Sequence, residues 1–335
     1  MPPLPDTQFD VCGVGNALVD VIAPATDAFL RECDINKGAM TLIFDEAAVE
    51  ALYAKMAPGR EVSGGSAANT LAGIASLGGR GAYIGKVSND QLGQVFSHDL
   101  NAGGVAYQTL PMENGPSTGR CLINVTPDGQ RSMCTYLGCS PLLTAADLDA
   151  DKLTHSKIVF LEGYLFDAPE AKAAFVAASR MAHDGGGKVA LTLSDLFCVT
   201  RHKEAFVDLV ANHIDILFAN EAEIIALYDA PDFETALAQA RQACEFVALT
   251  RSELGSVLAQ GASCIEIAAD HVTKVVDTTG AGDLYAAGVL FGLAKGLDLE
   301  TCGRLGSLAA GEVISHYGAR PETNLADLAR ARGIL

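Results

Sequence analysis

The alternation of strand and helix in the second half of the chain constrains the fold more than any other feature. Apolar, β-branched runs occur at 157–163, 188–194, 215–220 and 246–250, and they alternate with helix-favouring segments such as the alanine-rich stretch 169–182. Near-continuous apolar strands that alternate with helices are typical of a parallel sheet covered on both faces. We therefore predict an α/β fold in which helices flank a mostly parallel central sheet.

The first part of the chain has a different pattern. Segments 9–23, 38–44 and 119–136 read as strands with hairpin connections, and Asp128-Gly129 marks a turn within the last of them. We predict one α/β domain made of 8–16, 46–104 and 139–335. Segments 17–45 and 105–138 are predicted to form a small antiparallel β-sheet that is placed to act as a lid. Residues 1–7 are predicted to be a tail.

The charge of the chain limits the partners it can have. The formal net charge is −18 and no run of Lys or Arg occurs, so we expect neither nucleic acid nor an anionic membrane as a partner. An anionic ligand would need backbone N–H groups, a few placed cations or a metal ion. The N-terminal segment lacks the features of a signal peptide, and the nine cysteines form no C-x-x-C pair. We therefore expect a cytoplasmic protein with reduced thiols.

The segment "VVDTTGAGDLYAAGVLFGLA" (275–294) places a carboxylate at the mouth of an apolar helix. Asp283 could simply cap that helix. The preceding glycines, Gly280 and Gly282, also allow successive N–H groups to form an anion-binding concavity at the helix start. A carboxylate beside such a concavity suits phosphoryl transfer to an alcohol, in which a base accepts the hydroxyl proton. The residues alone leave both interpretations open.

Three further segments place polar groups where a ligand could contact them. In "SGGSAANTLAGIASLGG" (63–79), Asn69 lies within an apolar helix, where it is either a buried amide or a ligand contact. In "GVGNALVD" (13–20), Asn16 and Asp20 suit ligand hydroxyls, and the missing third glycine argues against a dinucleotide motif. In "FANEAEI" (218–224), Asn220 and Glu223 form a capping box or hold phosphate and metal-bound water.

Together these motifs resemble the ribokinase (PfkB) family of carbohydrate and nucleoside kinases. The resemblance extends over essentially the whole chain after residue 8, and its most specific parts are "GGSAANTLAGIASLGG", "DTTGAGDLYAAG" and "NEAE". It implies a ribokinase-like fold with a small β-sheet lid. It also implies an ATP-dependent phosphotransferase that uses Mg²⁺ and, as in several members, a monovalent cation such as K⁺.

The resemblance also implies roles for individual residues. Asp283 is implied to be the catalytic base, with Gly280, Ala281 and Gly282 as the anion hole and Arg131 of the lid as a clamp on the transferred phosphate. The residues implied to contact substrate are Asn16, Asp20, Gly64, Gly65, Ser66 and Asn69. Asn220, Thr250 and Gly255 are implied to lie near the nucleotide, although Ser252 replaces a glycine of the family pattern there. The implied metal contacts are Glu223 with Mg²⁺ through water, and Asp277, Thr279, Ser315 and Gly318 with K⁺.

The segment "GNALVD" resembles the adenosine kinase branch of the family. Asp20 would suit the vicinal hydroxyls of a ribose. Met40, Tyr164, Leu165 and Phe166 are candidates for an apolar base slot, and ordinary packing is the alternative. We expect transfer to the 5′-hydroxyl of adenosine, which gives AMP in purine salvage. A sugar kinase acting on ribose, fructose or ketodeoxygluconate is the alternative, and a nicotinamide-dependent oxidoreductase or a non-catalytic ligand-binding protein is less favoured. The expected partner is a small nucleoside or sugar, and the expected state is a monomer or a homodimer through the lid.

Overall fold

The computed structural model describes residues 8–335, so the tail expected at 1–7 lies outside the described residues. Strands and helices are numbered in chain order. The strands are β1 (Phe9–Val14), β2 (Leu18–Pro24), β3 (Met40–Leu42), β4 (Arg60–Gly64), β5 (Gly81–Ile84), β6 (Val105–Tyr107), β7 (Thr118–Val125), β8 (Arg131–Gly138), β9 (Ser156–Glu162), β10 (Lys188–Thr192), β11 (Ile216–Asn220), β12 (Phe246–Thr250), β13 (Ser256–Gln260) and β14 (Ser263–Ile267).

One of the helices covers the alanine-rich stretch 169–182 that the sequence predicted as helix-favouring. The helices are α1 (Asp27–Glu32), α2 (Glu46–Tyr53), α3 (Ser66–Ser76), α4 (Gln91–Ala102), α5 (Ala150–Thr154), α6 (Pro169–Asp184), α7 (Leu196–His213), α8 (Glu221–Tyr228), α9 (Phe233–Ala243), α10 (Ala281–Ala294), α11 (Leu299–Val313) and α12 (Leu325–Ala331). None of the helices between residues 8 and 335 has the length and apolar character needed to cross a membrane.

The large sheet has the order β14-β13-β12-β11-β10-β9-β1-β5-β6. The seven neighbouring strands β12, β11, β10, β9, β1, β5 and β6 pair in parallel. Strands β13 and β14 add antiparallel pairs at the β12 edge. Alternate residues of β9 face opposite layers, with Ile158 and Phe160 on one side and Val159 and Leu161 on the other. Helices α3, α4, α10, α11 and α12 cover the first side, and α5 to α9 cover the second. The predicted α/β architecture with helices on both faces is confirmed.

The small sheet has the order β3-β8-β7-β2-β4 and differs from the prediction in three respects. It is mixed, because β2 pairs with β7 and β3 pairs with β8 in parallel. It includes β4, which was expected in the large domain and pairs with β2. Conversely, β6 was expected in the lid but pairs with β5 of the large sheet. Strands β4 and β6 are too short for their residue pattern to indicate which sheet they join.

Candidate active site

A cavity of about 1140 Å³ lies where the two sheets meet. Its floor is formed by residues at the ends of parallel strands, including Glu162 of β9, Asn220 of β11 and Thr250 of β12. One wall comes from the small sheet, which contributes residues such as Leu18 and Ile123. Ligands of open α/β sheets bind at the carboxyl ends of the strands, so this cavity is the candidate active site.

Asp283 lies in this cavity, in the first turn of α10. Ser66 Oγ donates a hydrogen bond of 2.6 Å to Oδ1, and Asn69 Nδ2 donates one of 3.0 Å to Oδ2. Both donors belong to the start of α3, so the N-termini of two helices meet at one carboxylate. Burial raises the pKa of Asp283, although the bonds from Ser66 and Asn69 oppose this effect. The result is an oriented carboxylate that accepts a proton more readily than an ordinary aspartate.

The turn before α10 leaves donors directed at the same cavity. Gly280 is the N-cap with φ 81°, and among the described residues no side chain caps this helix. The N–H groups of Gly282 and Asp283 therefore have no intrahelical partner and are available to an anion. Gly282 lines the cavity, and a Cβ atom there would meet no protein atom within 4 Å. The turn thus has the properties expected of an anion hole.

A second group of carboxylates lies near the first strands. Asn16 donates to Glu162 Oε1 from its backbone nitrogen at 3.2 Å and from Nδ2 at 3.0 Å, and the Ala67 nitrogen donates to Oε2 at 2.8 Å. Burial raises the pKa of Glu162 to about 7 despite these bonds. Asp20 lines the cavity, and within the described part of the chain no hydrogen bond engages its carboxylate. Burial raises the pKa of Asp20 to about 6, against the opposing charges of Arg131 and Arg320. Asp20 therefore has acceptor capacity left for a ligand.

The cavity wall beyond Asp20 is apolar. The small sheet, the turn after β9 and the first turn of α7 supply this wall, and Phe197 is the most exposed of its side chains, at 65%. Its members are Leu18, Met40, Leu42, Ile123, Met133, Leu137, Tyr164 and Phe197. A flat apolar group would fit against such a surface.

The opposite end of the cavity lies over β11 and β12. Asn220 and Glu223 form a reciprocal capping box at the start of α8, with Asn220 N to Glu223 Oε2 at 2.9 Å and Glu223 N to Asn220 Oδ1 at 2.9 Å. Burial raises the pKa of Glu223 to about 7. Thr250 and Gly255 also line this end, and Gly255 has φ 90°. The predicted cap is therefore present, and its carboxylate still faces the cavity.

A family model described as the pfkB family carbohydrate kinase matches residues 30–325. The chain belongs to the PfkB family of carbohydrate kinases. It is 50% identical to a solved structure of adenosine kinase from Sinorhizobium meliloti, with a TM-score of 0.88 over 97% of this chain and 99% of that one. It is 48% identical to a probable sugar kinase from Rhizobium etli, with a TM-score of 0.90 over 98% and 100% of the two chains. It is also 27% identical to the adenosine kinase of Saccharomyces cerevisiae over 91% of this chain and 94% of that protein.

Family membership makes this chain a sugar or nucleoside kinase, and kinases of this family use ATP. The cavity of this kinase brings together most residues that the sequence singled out. Those that line it are Asn16, Asp20, Met40, Gly65, Ser66, Asn69, Tyr164, Asn220, Glu223, Thr250, Gly255, Thr279, Gly280, Ala281, Gly282 and Asp283.

Seven of the singled-out residues do not line the cavity: Leu165 and Phe166 of the expected base slot, and Gly64, Arg131, Asp277, Ser315 and Gly318. Gly64 lies directly beneath Asp20, where a Cβ atom would come within 2.6 Å of the carboxylate. Arg131 forms an ion pair with Asp277. Gly318 N donates to the same aspartate, whereas Ser315 Oγ donates to the carbonyl of Glu312.

The candidate base slot is only partly as expected. Met40 and Tyr164 line the cavity, but Leu165 and Phe166 are 1% and 3% exposed and lie in the core between the sheet and its helices. Phe166 stacks on Phe206 with ring centroids 4.5 Å apart. Leu165 and Phe166 are thus packing residues, because the turn after β9 directs only Tyr164 into the cavity.

Sequence reasoning missed several residues of the site. Glu162, Asp195 and Phe197 line the cavity, and each follows or ends a parallel strand, which is the signal that could have identified them. Arg320 also lies nearby and is partly buried, and its guanidinium donates to Ser63 O at 2.8 Å and to Ser63 Oγ at 2.9 Å. No local pattern marks Arg320, because its environment is created by β4 and the loop after α11.

Proposed function

We propose that this kinase transfers the γ-phosphate of ATP to the 5′-hydroxyl of adenosine, giving AMP and ADP in purine salvage. The observation that carries the proposal is the sequence of chemical environments along one cavity. The cavity has an apolar wall, the carboxylate of Asp20 without a hydrogen bond, and the oriented carboxylate of Asp283 beside free N–H groups. They correspond to a purine base, ribose hydroxyls and the reacting 5′-oxygen, in that order.

The ribose assignment rests on Asp20. An ionised carboxylate accepts hydrogen bonds but cannot donate them, so it suits vicinal hydroxyls, each of which offers a proton. Asn16 lies at the same end of the cavity, and its amide is held by Glu162 and by Ser140, whose Oγ is 2.9 Å from Asn16 Oδ1. A fixed amide beside a free carboxylate would orient the sugar.

The base assignment rests on the apolar wall and on the size of the cavity. Its volume of about 1140 Å³ slightly exceeds the ~300–1,000 Å³ common for a single ligand, and two substrates must bind here. A free sugar would leave Met40, Tyr164 and Phe197 in contact with water, whereas a purine would cover them. The likeness to the Sinorhizobium meliloti protein, described as an adenosine kinase, supports the same assignment.

The reaction would use the paired helix starts. Asp283 would accept the 5′-hydroxyl proton while the oxygen forms a bond to the γ-phosphorus and the bond to the β,γ-bridging oxygen breaks. The N–H groups of Gly282 and Asp283 would stabilise the charge on the transferred group. Ser66 and Asn69 would hold the carboxylate in position through their hydrogen bonds. Asn220, Thr250 and Gly255 would lie along the rest of the nucleotide.

The charge of the cavity fits a requirement for Mg²⁺. Seven carboxylates line the cavity, whereas Arg201 is the one lysine or arginine among the described lining residues. The carboxylates are Asp20, Glu162, Asp195, Glu223, Asp270, Asp283 and Glu253. Each Glu223 oxygen accepts one bond from Asn220 and keeps a lone pair for metal-bound water, so Glu223 would hold the ion through water. When bound, Mg²⁺ would neutralise phosphate charge that these carboxylates otherwise repel.

A sugar kinase is the second candidate, because the Rhizobium etli protein at 48% identity is described as a probable sugar kinase. ADP formation should be measured with adenosine, ribose, fructose and ketodeoxygluconate in parallel, with Asp283→Asn as the variant. We expect turnover with adenosine, and a loss of about 10³-fold in kcat with adenosine binding retained in the variant. Turnover with a sugar alone would overturn the adenosine assignment, and full activity of the variant would overturn the role of Asp283.

A further inference from the structure

Asp277 has a set of contacts that does not suit a metal ion. Its Oδ1 accepts hydrogen bonds from Thr279 N at 3.0 Å and Thr279 Oγ1 at 2.7 Å. Its Oδ2 accepts a bond from Gly318 N at 3.1 Å and forms the ion pair with Arg131. A carboxylate has about four acceptor sites, and four donors occupy those of Asp277. No lone pair remains directed at a site where K⁺ could bind.

The charge balance at Asp277 also argues against a bound metal ion. The side chains of Arg131 and Asp277 are each 7% exposed, so solvent contributes little to stabilising either charge. An unpaired buried carboxylate is costly, and a guanidinium supplies the positive charge that would otherwise come from a cation. A monovalent cation beside the same carboxylate would place two positive charges in one small buried space.

Arg131 and Asp277 also connect two functional parts of the molecule. Arg131 begins β8 of the small sheet, opposite Val125. Asp277 holds Thr279, the residue before Gly280 of the anion-hole turn. Next to this contact, Gly129 of the β7–β8 turn approaches Tyr317, whose hydroxyl would be 2.5 Å from a Cβ atom at that glycine. The small sheet is thereby attached to the turn that begins α10.

We infer that Arg131 takes the place of a monovalent cation at Asp277 and holds the anion-hole turn in position, so that this kinase works without K⁺. Arg131 is a positioning residue in this arrangement, because it acts through Asp277 and the turn. The inference rests on the proposed site, with phosphate held at the turn before Asp283. It replaces the K⁺ contacts that the sequence resemblance implies for Asp277, Thr279, Ser315 and Gly318.

The first experiment compares the wild-type enzyme in KCl, NaCl and choline chloride at equal ionic strength. We expect kcat to vary by less than about twofold, and the melting temperature of the ligand-free protein to be the same in all three salts. A rise of about fivefold in kcat in KCl, or a stabilisation specific to KCl, overturns the inference. The melting measurement needs no substrate, so it separates this outcome from a wrong substrate assignment.

The second experiment is a double-mutant cycle with Arg131→Ala and Asp277→Asn. If Arg131 acts through Asp277, each variant loses about tenfold or more in kcat, and the double variant is no worse than the poorer single variant. Losses that multiply would show that Arg131 acts on the phosphate by itself, which overturns the inference. Arg120→Ala is the matched control, since Arg120 is also buried in the small sheet but pairs with Glu50.

Chemical rescue of Arg131→Ala by guanidinium distinguishes a role of Arg131 at Asp277 from a purely structural one. Millimolar guanidinium should restore activity to Arg131→Ala by about fivefold, because it can occupy the vacated position beside Asp277. It should leave Asp277→Asn and the Arg120→Ala control unchanged. Absence of rescue, with the variant folded as judged by its melting temperature, would contradict the proposed role.

Discussion

Asp20 and Asp283 share one cavity but differ in what holds them. Ser66 and Asn69 fix Asp283, whereas no hydrogen bond between described residues engages the carboxylate of Asp20. Burial raises the pKa of both groups, to about 6 for Asp20. Both must be ionised in the proposed reaction, one as a base and the other as an acceptor of ribose hydroxyls. Their titration should therefore appear in the pH dependence of the reaction.

We predict that kcat/KM for adenosine falls as the pH decreases through about 6 and is level above about 7. The sign follows because protonation removes the acceptor capacity of Asp20 and the basicity of Asp283. At pH 8, Asp20→Asn should lower kcat/KM by about 10- to 100-fold, the value of a hydrogen bond to a charged group. It should also flatten the decline near pH 6. If kcat/KM of the Asp20→Asn variant still falls near pH 6 as in the wild type, the titrating group is not Asp20.

The same substitution gives a control on folding. A carboxylate whose pKa is raised by folding stabilises the protein below its ordinary pKa and loses that contribution as the pH rises through the folded pKa, here about 6. Asp20→Asn should therefore melt no lower than the wild type at pH 8. A large drop in melting temperature would mean that its activity loss reflects unfolding.

The sequence predicted those site residues whose role is encoded in a local motif. Asn16, Asp20, Asn69 and Asp283 stand in motifs with local meaning, and all four line the cavity. Arg320 was missed because its partner Ser63 is distant in sequence, and only the folded structure brings the two together. A long-range contact of this kind leaves no spacing pattern to recognise.

At the scale of elements, two glycines of the turn before α10 are expected to differ in role, one in stability and the other in activity. Gly280 has φ 81°, and a Cβ atom there would lie 2.8 Å from the Ala319 backbone. Gly280→Ala should cost about 1–2 kcal/mol for the left-handed backbone, with a further cost for the clash. Its melting temperature should fall by several degrees.

Gly282→Ala is the matched change two residues later. No protein atom lies within 4 Å of the added methyl group, which would project into the cavity. We expect an unchanged melting temperature and a kcat/KM for ATP lowered by about tenfold or more, because the methyl group crowds the anion-binding N–H groups. Equal effects of the two variants on stability would contradict this difference between the glycines.

Asp10 joins three elements at the far end of β1. It is 0% exposed and accepts bonds from Lys157 at 2.9 Å, Lys295 at 2.7 Å and the Arg80 nitrogen at 2.9 Å. Burial raises its pKa, but these donors outweigh burial and hold the pKa at about 2. The stabilisation is thus present above the ordinary pKa of 3.8 and is lost as the pH falls through about 2.

We predict that Asp10→Asn lowers the free energy of unfolding at pH 7 by about 2–4 kcal/mol, as expected when a buried ion pair loses one partner. Chemical denaturation would measure this change. The control is Glu245→Gln, which breaks the exposed pair with Lys188 and should cost no more than about 0.5 kcal/mol. The difference between the variants should shrink in acid, where Asp10 of the wild type becomes protonated.

The elements themselves were largely predictable. β12 was predicted at 246–250 and occupies those residues, because its apolar run is bounded on both sides by polar residues. The misplaced strands β4 and β6 have five and three residues, and β4 begins with two charged side chains. Short strands bury too little apolar surface to show a periodic pattern, so their sheet is decided by tertiary contacts.

At the scale of the whole molecule, the negative charge of the protein opposes the binding of the anionic ATP that the proposed function requires. The net charge is −18, and seven carboxylates line a cavity that is proposed to bind ATP. Binding is then possible because backbone N–H groups and Mg²⁺ act at close range, while the overall field opposes the approach of an anion. Screening should affect the two substrates of this kinase differently, because ATP is charged and adenosine is neutral.

We predict that raising choline chloride from about 10 mM to about 150 mM, with Mg²⁺ in excess, increases kcat/KM for ATP. The Debye length falls from roughly 30 Å to roughly 8 Å over this range, so repulsion between the protein and the nucleotide is screened. Under the same conditions kcat/KM for adenosine should stay constant, which makes the neutral substrate an internal control. A decrease for ATP would mean that local cations such as Arg201, which lines the cavity, dominate the field that ATP meets. Equal changes for both substrates would indicate an effect of salt on the enzyme itself.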